Sequence, residues 1–211
     1  MRNTIILIFI WVISIPVIAQ KNIEKNIAFN KQESINLDIK FADTIVIHTW
    51  DKPDVYAKAS VNINDNQDND VYLTTFNEDK QNIDIKATFD KDYLSGNKNN
   101  CIKTMIIWEI YLPEKTAIKV ETIDGNIIIE GNTSDIYAKS ISGFIDWGAK
   151  PDYHANLELK TISGRIYSDL DLVYTAKYSS FPIVLIQKIN DGGYPVKLET
   201  ISGDIFCRKS E

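Results

Sequence analysis

Histidine and cysteine are nearly missing from this chain, with two of each in 211 residues. A Ser-His or Cys-His catalytic pair would have to be built from His48 or His154 and scattered partners, and no Gly-x-Ser-x-Gly elbow occurs to hold a nucleophile. The shortage also excludes a disulfide-stapled scaffold: Cys101 and Cys207 either bridge to each other or stay as two small apolar residues. Excess positive charge is lacking too. The formal net charge of −6 argues against nucleic acid and anionic membrane surfaces, which are held by clustered Lys and Arg. Beyond residue 20 no apolar stripe recurs at helical spacing, so long helices are not expected.

Long hydrophobic runs are limited to one. Arg2 precedes an apolar stretch from Ile5 to Ile18, interrupted by Ser14 and Pro16 and closed by Ala19. A spanning helix needs about 20 apolar residues, and this run is shorter. It has the layout of a cleavable secretory signal over residues 1–19. The expectation is an exported chain that starts at Gln20, without a membrane span after cleavage, in the periplasm, on the cell surface or secreted. No cysteine follows the apolar core, so a bacterial lipid-anchor site is missing.

Metal ligands are equally sparse. The tract Asn64 to Asp70 is rich in oxygen donors, but no start position supplies both the glycine and the glutamate of a helix-loop-helix calcium loop. It reads as a hydrated loop. Asp169 and Asp171 could share one side of a strand end, yet two carboxylates without a positioned partner make neither a hydrolase pair nor a calcium cage. No cofactor or metal is expected.

What the sequence does have is a period of two. Ile35, Leu37, Ile39 and Phe41 alternate with polar residues, as do Ile83, Ile85, Ala87 and Phe89. Such alternation places one face of a strand in a core and the other in water. Gly, Pro, Asn and Asp separate the runs, so the reading is many short strands.

Four segments then align without gaps: Val120-Glu-Thr-Ile-Asp-Gly-Asn-Ile127, Ala138-Lys-Ser-Ile-Ser-Gly-Phe-Ile145, Leu159-Lys-Thr-Ile-Ser-Gly-Arg-Ile166 and Leu198-Glu-Thr-Ile-Ser-Gly-Asp-Ile205. Their glycines, Gly125, Gly143, Gly164 and Gly203, are spaced by 18, 21 and 39 residues. A strand, a corner and a second strand fit the shorter period, with rungs stacking about 4.8 Å apart and glycine at each corner. Ile123, Ile141, Ile162 and Ile201 should then lie above one another. The longer spacing predicts a rung without the signature, or an insertion, between Ser168 and Pro195. The fold expectation is all-β: a β-solenoid or β-roll-like stack with Ile-Ser-Gly corners. Residues 20–211 read as one repeat domain, degenerate over about 27–112 and regular over about 113–211. A tight bend is expected near Ala42-Asp43.

These motifs have a familiar look. The Ile-Ser-Gly-x-Ile unit, the segment Ile45-Val-Ile-His-Thr-Trp-Asp-Lys-Pro-Asp-Val-Tyr-Ala-Lys58, the strand end at Tyr111-Leu-Pro and the closing Leu198-to-Cys207 stretch together resemble the DUF4097 family of adhesin-like proteins. The resemblance covers nearly all of residues 20–211. It implies a β-solenoid-like or β-roll fold in an envelope or secreted protein, and it implies no established activity or site residues.

The glycine motifs are read as scaffold, because the residue that follows each glycine is Asn126, Phe144, Arg165 or Asp204, which share no chemistry. Binding is instead sought among the aromatics. Trp50, Tyr56, Trp147 and Tyr153, with Tyr137 and Tyr167, would form a platform for sugar rings if several share a face. The functional expectation is a non-enzymatic exported protein presenting a rigid surface to an envelope protein or a glycan. The alternatives are a carbohydrate-active enzyme on a β-helical scaffold, for which Asp169 and Asp171 are the candidates, and a structural or signalling partner in the envelope.

Overall fold

The computed structural model describes residues 20–30, 34–96, 101–170 and 182–210, together with the backbone of 172–174 and 179–180. The signal-sequence expectation for 1–19 falls outside these residues, as does Asp171.

The first half contains β1 (Lys21–Ala28), β2 (Ser34–Ile39), β3 (Phe41–Trp50), β4 (Asp54–Ile63), β5 (Tyr72–Glu78), β6 (Asn82–Phe89), the short helix α1 (Lys91–Gly96) and β7 (Thr104–Pro113). The second half begins with β8 (Ala117–Glu130), β9 (Ile136–Ser142), β10 (Ile145–Ala149), β11 (Ala155–Ser163) and β12 (Ile166–Ser168). It continues with β13 (Leu172–Tyr174), β14 (Ser179–Ser180), β15 (Ile183–Ile189), β16 (Tyr194–Ser202) and β17 (Ile205–Lys209). The predicted alternation is the observed burial: along β4 every second residue from Val55 to Ile63 is buried.

These strands form one large mixed sheet that is not closed on itself. It bends along a line of corners into two wings. The first wing runs β5–β6–β2–β8–β9–β16–β11–β15, and the second runs β1–β4–β7–β3–β8–β10–β17–β12. Strand β8 belongs to both, with its first half paired to β2 and β9 and its second to β3 and β10. The wings enclose a common apolar core. Trp108 of β7 donates its indole N–H to the Tyr72 hydroxyl of β5 at 3.0 Å, linking one wing to the other.

Five strand–corner–strand units stack in parallel register: β2/β3, β8, β9/β10, β16/β17 and β11/β12. The β2/β3 unit is the degenerate one. Its corner has no glycine and its register against β8 shifts between Phe41 and Thr44, beside the expected bend. The stack does not follow chain order. The fourth repeat lies between the second and the third, so the corner glycines run Gly125, Gly143, Gly203, Gly164 in space. This departs from a solenoid in which the chain coils rung upon rung. The long spacing explains it: after β12 the chain forms β13–β15, with β15 antiparallel to β11 on one side and to β13 and β14 on the other, before β16 enters the slot between β9 and β11.

The corners show why glycine recurs. A Cβ on Gly143 would lie 2.1 Å from the Gly125 carbonyl oxygen, one on Gly203 2.1 Å from that of Gly143, and one on Gly164 2.0 Å from that of Gly203. Gly143 also has φ +143, a conformation side chains rarely adopt, whereas Gly164 is required by the close approach alone.

The isoleucines of the repeat lie in register, as expected, and they point outward, each 38–39% exposed. The residue before each, Thr122, Ser140, Thr161 or Thr200, points inward and is buried. The Asn64–Asp70 tract, expected as a hydrated loop, is tied down: Asn69 is buried and its side-chain oxygen accepts from Ile63 N–H at 2.8 Å, while Asp68 accepts from Asn64 and from the Tyr93 hydroxyl. Three left-handed residues in succession, Asn64, Asp65 and Asn66, make the turn, and Asn and Asp tolerate that conformation best among residues with a Cβ.

Candidate functional site

The outer face of the second wing brings accessible rings and charged groups together. Alternation along β3 turns Val46, His48 and Trp50 outward, and alternation along β4 and β7 does the same for Tyr56 and Tyr111. Pairing places Tyr56 opposite Tyr111 and Tyr111 opposite His48. The rings cluster: Trp50 is 5.3 Å from Tyr111 and 6.3 Å from Tyr56 between centroids, and His48 stacks on Tyr111 at 5.0 Å. All four are half-buried. The Trp50 indole N–H donates to the Asp54 carbonyl at 2.8 Å, which fixes the ring, and the Lys52 ammonium lies 4.4 Å above it. Tyr111 and His48 extend the platform beyond the aromatics that sequence reasoning picked out. Their period-two placement on the outward phase was the available signal.

The same row of paired positions continues across the wing. His48 faces Glu130, Glu130 faces Gly148, and Gly148 faces Arg208. His48 Nδ1 lies 3.1 Å from Glu130 Oε2, and Arg208 Nη2 lies 2.6 Å from Asp146 Oδ2. Because Gly148 has no side chain, a cleft of about 410 Å³ opens over it, with Glu130, Asp146, Lys150 and Arg208 among its walls. Burial raises the Asp146 carboxyl above its usual range and the nearby Glu130 adds to this, while Arg208 opposes it. Beyond the cleft lies a second group of rings, with Tyr167 stacked on Phe206 at 5.2 Å and the Arg208 guanidinium 5.3 Å from Phe206.

The other nominated aromatics lie elsewhere. Trp147 is 1% exposed and Tyr153 5%, packed edge-to-face at 5.6 Å inside the core, so neither offers a face to a ligand. Trp147 sits on the inward phase of β10, and the Tyr153 hydroxyl donates to the Ser134 carbonyl at 2.8 Å. Tyr137 is on the outer face of the first wing, beside Lys119. Asp169 accepts from the Lys209 backbone N–H at 2.7 Å, a structural contact. His154 is exposed in the turn before β11. The cysteines are both unpaired, Cys101 exposed and Cys207 buried. Among the described residues, no group of three or more His, Cys, Asp or Glu is arranged to hold a metal ion, and no helix is long and apolar enough to cross a membrane.

With this geometry in view, comparison with known proteins adds a fold. A candidate cell adhesion protein from Clostridium sporogenes superposes with a TM-score of 0.57, covering 91% of this chain and 100% of that one at 13% identity. At that identity the likeness shows a shared fold alone. A candidate adhesin from Bacteroides fragilis gives a TM-score of 0.33 at 11% identity, over 91% of this chain and 98% of its own. A candidate lipid binding protein from Parabacteroides distasonis gives 0.29 at 12%, over 91% and 97%. Both superpose too loosely to add to the first. No family model matches the chain.

Proposed function

We propose that this is an exported, non-enzymatic, adhesin-like β protein of the DUF4097 type, whose second wing presents its outer face to a glycan of the cell envelope or of another surface. One observation carries the reading: Trp50, Tyr56 and Tyr111 hold half-exposed rings together on three strands of a rigid sheet, next to His48 and the Glu130 carboxylate 3.1 Å from it. Flat rings stack on the apolar faces of pyranoses, and neighbouring charged groups hydrogen-bond their hydroxyls. The stacked corners supply the stiffness such a surface requires. The fold likeness to a candidate cell adhesion protein and the apolar N-terminal run agree with an exported surface role.

The test is binding of residues 20–211 to an oligosaccharide array and to isolated envelope, followed by Trp50→Ala and Tyr111→Ala. Saturable binding that falls at least about tenfold in either variant, a loss of about 1.4 kcal/mol, supports the proposal. Undiminished binding in both would remove the platform from it. Capture of an envelope protein, indifferent to glycans, would favour the structural or signalling alternative.

A second reading, a carbohydrate-cleaving enzyme, has one feature in its favour: Asp146, its proton held more tightly than usual, lies near the better solvated Glu130. Carboxyls in unlike environments are how glycosidases separate acid from base. Release of reducing ends that disappears in Asp146→Asn would establish it. The absence of turnover with binding intact supports the first reading.

A further inference from the structure

Gly148 is a glycine the fold does not require. Each corner glycine is enforced by a carbonyl oxygen 2.0–2.4 Å from where a Cβ would stand. At Gly148 a Cβ would meet nothing nearer than the Ser210 Cβ at 3.4 Å and the Ile129 carbonyl oxygen at 3.8 Å, and its backbone is outside the left-handed region. Glycine in a strand interior weakens the strand and leaves nothing to pack, and it commonly marks a place where a ligand comes close to the backbone. Here its consequence is the cleft between Glu130 and Arg208.

We propose that this cleft is a saccharide subsite, seating one unit of an uncharged hexopyranose chain whose neighbouring units lie on the Trp50–Tyr111 platform. The inference rests on the glycan reading above and adds a position and a chemical class to it. Tyr111, His48, Glu130, Gly148 and Arg208 are successive partners on five adjacent strands. Four strand spacings of about 4.8 Å give a row of roughly 19 Å, long enough for several sugar units laid across the strands. Arg208 is held by Asp146 at 2.6 Å, and the Glu130 carboxylate stands in the wall beside them with Lys150. A carboxylate or sulfate on the ligand would have to compete with Asp146 for Arg208. Hydroxyls need not: they donate to the remaining carboxylate lone pairs and accept from the remaining guanidinium N–H groups with the pair intact.

The experiment measures binding of cello-, malto- and mannohexaose, with hexagalacturonic acid as the charged comparator, to the wild type and to Gly148→Thr, Asp146→Asn and Trp50→Ala. The expected result is binding of a neutral hexaose that weakens at least tenfold in Gly148→Thr, with the thermal midpoint preserved, and weakens in Asp146→Asn. Should Gly148→Thr not fold, Gly148→Ala and Asp146→Asn carry the test. If Trp50→Ala abolishes binding while the Gly148 and Asp146 variants bind like wild type, the subsite is wrong and the platform stands. If Trp50→Ala also leaves binding unchanged, both fail. Preference for hexagalacturonic acid overturns the neutral class, and no binding to any of the four sugars overturns the subsite.

Discussion

The buried Ser140 hydroxyl donates to the carbonyl oxygen of Gly125 at 2.9 Å, from one rung of the stack to the next. Thr161 repeats the contact with Gly203 at 3.0 Å. At each corner the backbone turns and its carbonyl is left without the regular partner of a flat ladder. At the Gly125 and Gly203 corners an inward hydroxyl from the neighbouring unit donates to that oxygen, and at Gly203 Thr200 of the same unit adds a second at 2.7 Å. This is why the third position of the repeat is Thr or Ser although it faces the core.

Removal of that hydroxyl should therefore cost more than its size suggests. Ser140→Ala is expected to destabilise by about 1–3 kcal/mol, because the Gly125 carbonyl stays buried without this donor. The outward Ile141→Thr, on an exposed ladder, should cost less than about 1 kcal/mol. Urea titration compares the two, and an equal cost would mean that the hydroxyl is not what closes the corner.

Glycines should separate into two classes. Gly164→Val places atoms against the Gly203 carbonyl, and Gly143→Ala does so against Gly125. Each should lose several kcal/mol or fail to fold, since backbone cannot move aside. Gly148→Ala should be neutral or gain up to about 1 kcal/mol by restricting the unfolded chain, and the surface change Lys160→Gln should stay within about 0.5 kcal/mol. Thermal melts of the four variants decide whether corner glycines are set apart by packing.

Thiol accessibility gives a direct check on the core. Cys207 is buried and its thiol is pushed up to about 12, chiefly by burial, whereas Cys101 is exposed. Ellman's reagent at pH 8 should titrate one thiol in the native protein and both in denaturant. Two rapid thiols, or none, would contradict this placement.

Alkaline pH should destabilise the fold. Burial raises Cys207 to about 12 from an ordinary 9.0 and Tyr153 to about 12 from 10.0, and it raises Tyr72 as well. Between the ordinary and the raised values the folded state keeps protons that the unfolded chain gives up, so stability is full below about pH 9 and falls as pH rises toward 12. The urea midpoint should be lower at pH 10.5 than at pH 8. A flat profile would show these groups to be in contact with water.

Much of the strand content was legible. Period-two runs such as Ile83 to Phe89 became strands because one buried face is all that such a pattern can satisfy. The repeated glycines marked the corners, and the polar phase of β3 and β4 held Trp50 and Tyr56 outward. Trp147, offered as a platform residue if several aromatics shared a face, is buried, and its alternation with Ile145 and Ala149 along β10 carried that inward phase. The outward turn of Ile123, Ile141, Ile162 and Ile201 was not legible. Hydrophobicity alone points isoleucine inward, and only the need of corner carbonyls for a donor reverses the phase.

By itself the sequence determined the local periodicities, the sites of bending and the chemical kinds of side chain on each phase, since these depend on residues a few positions apart. Tertiary structure alone decided that the fourth repeat enters between the second and the third, and that Tyr111, His48, Glu130, Gly148 and Arg208 stand in one row. Parallel pairing joins strands far apart in the chain, and the order in which edges are filled depends on which slot the β13–β15 insertion leaves open, information that no short window of sequence contains.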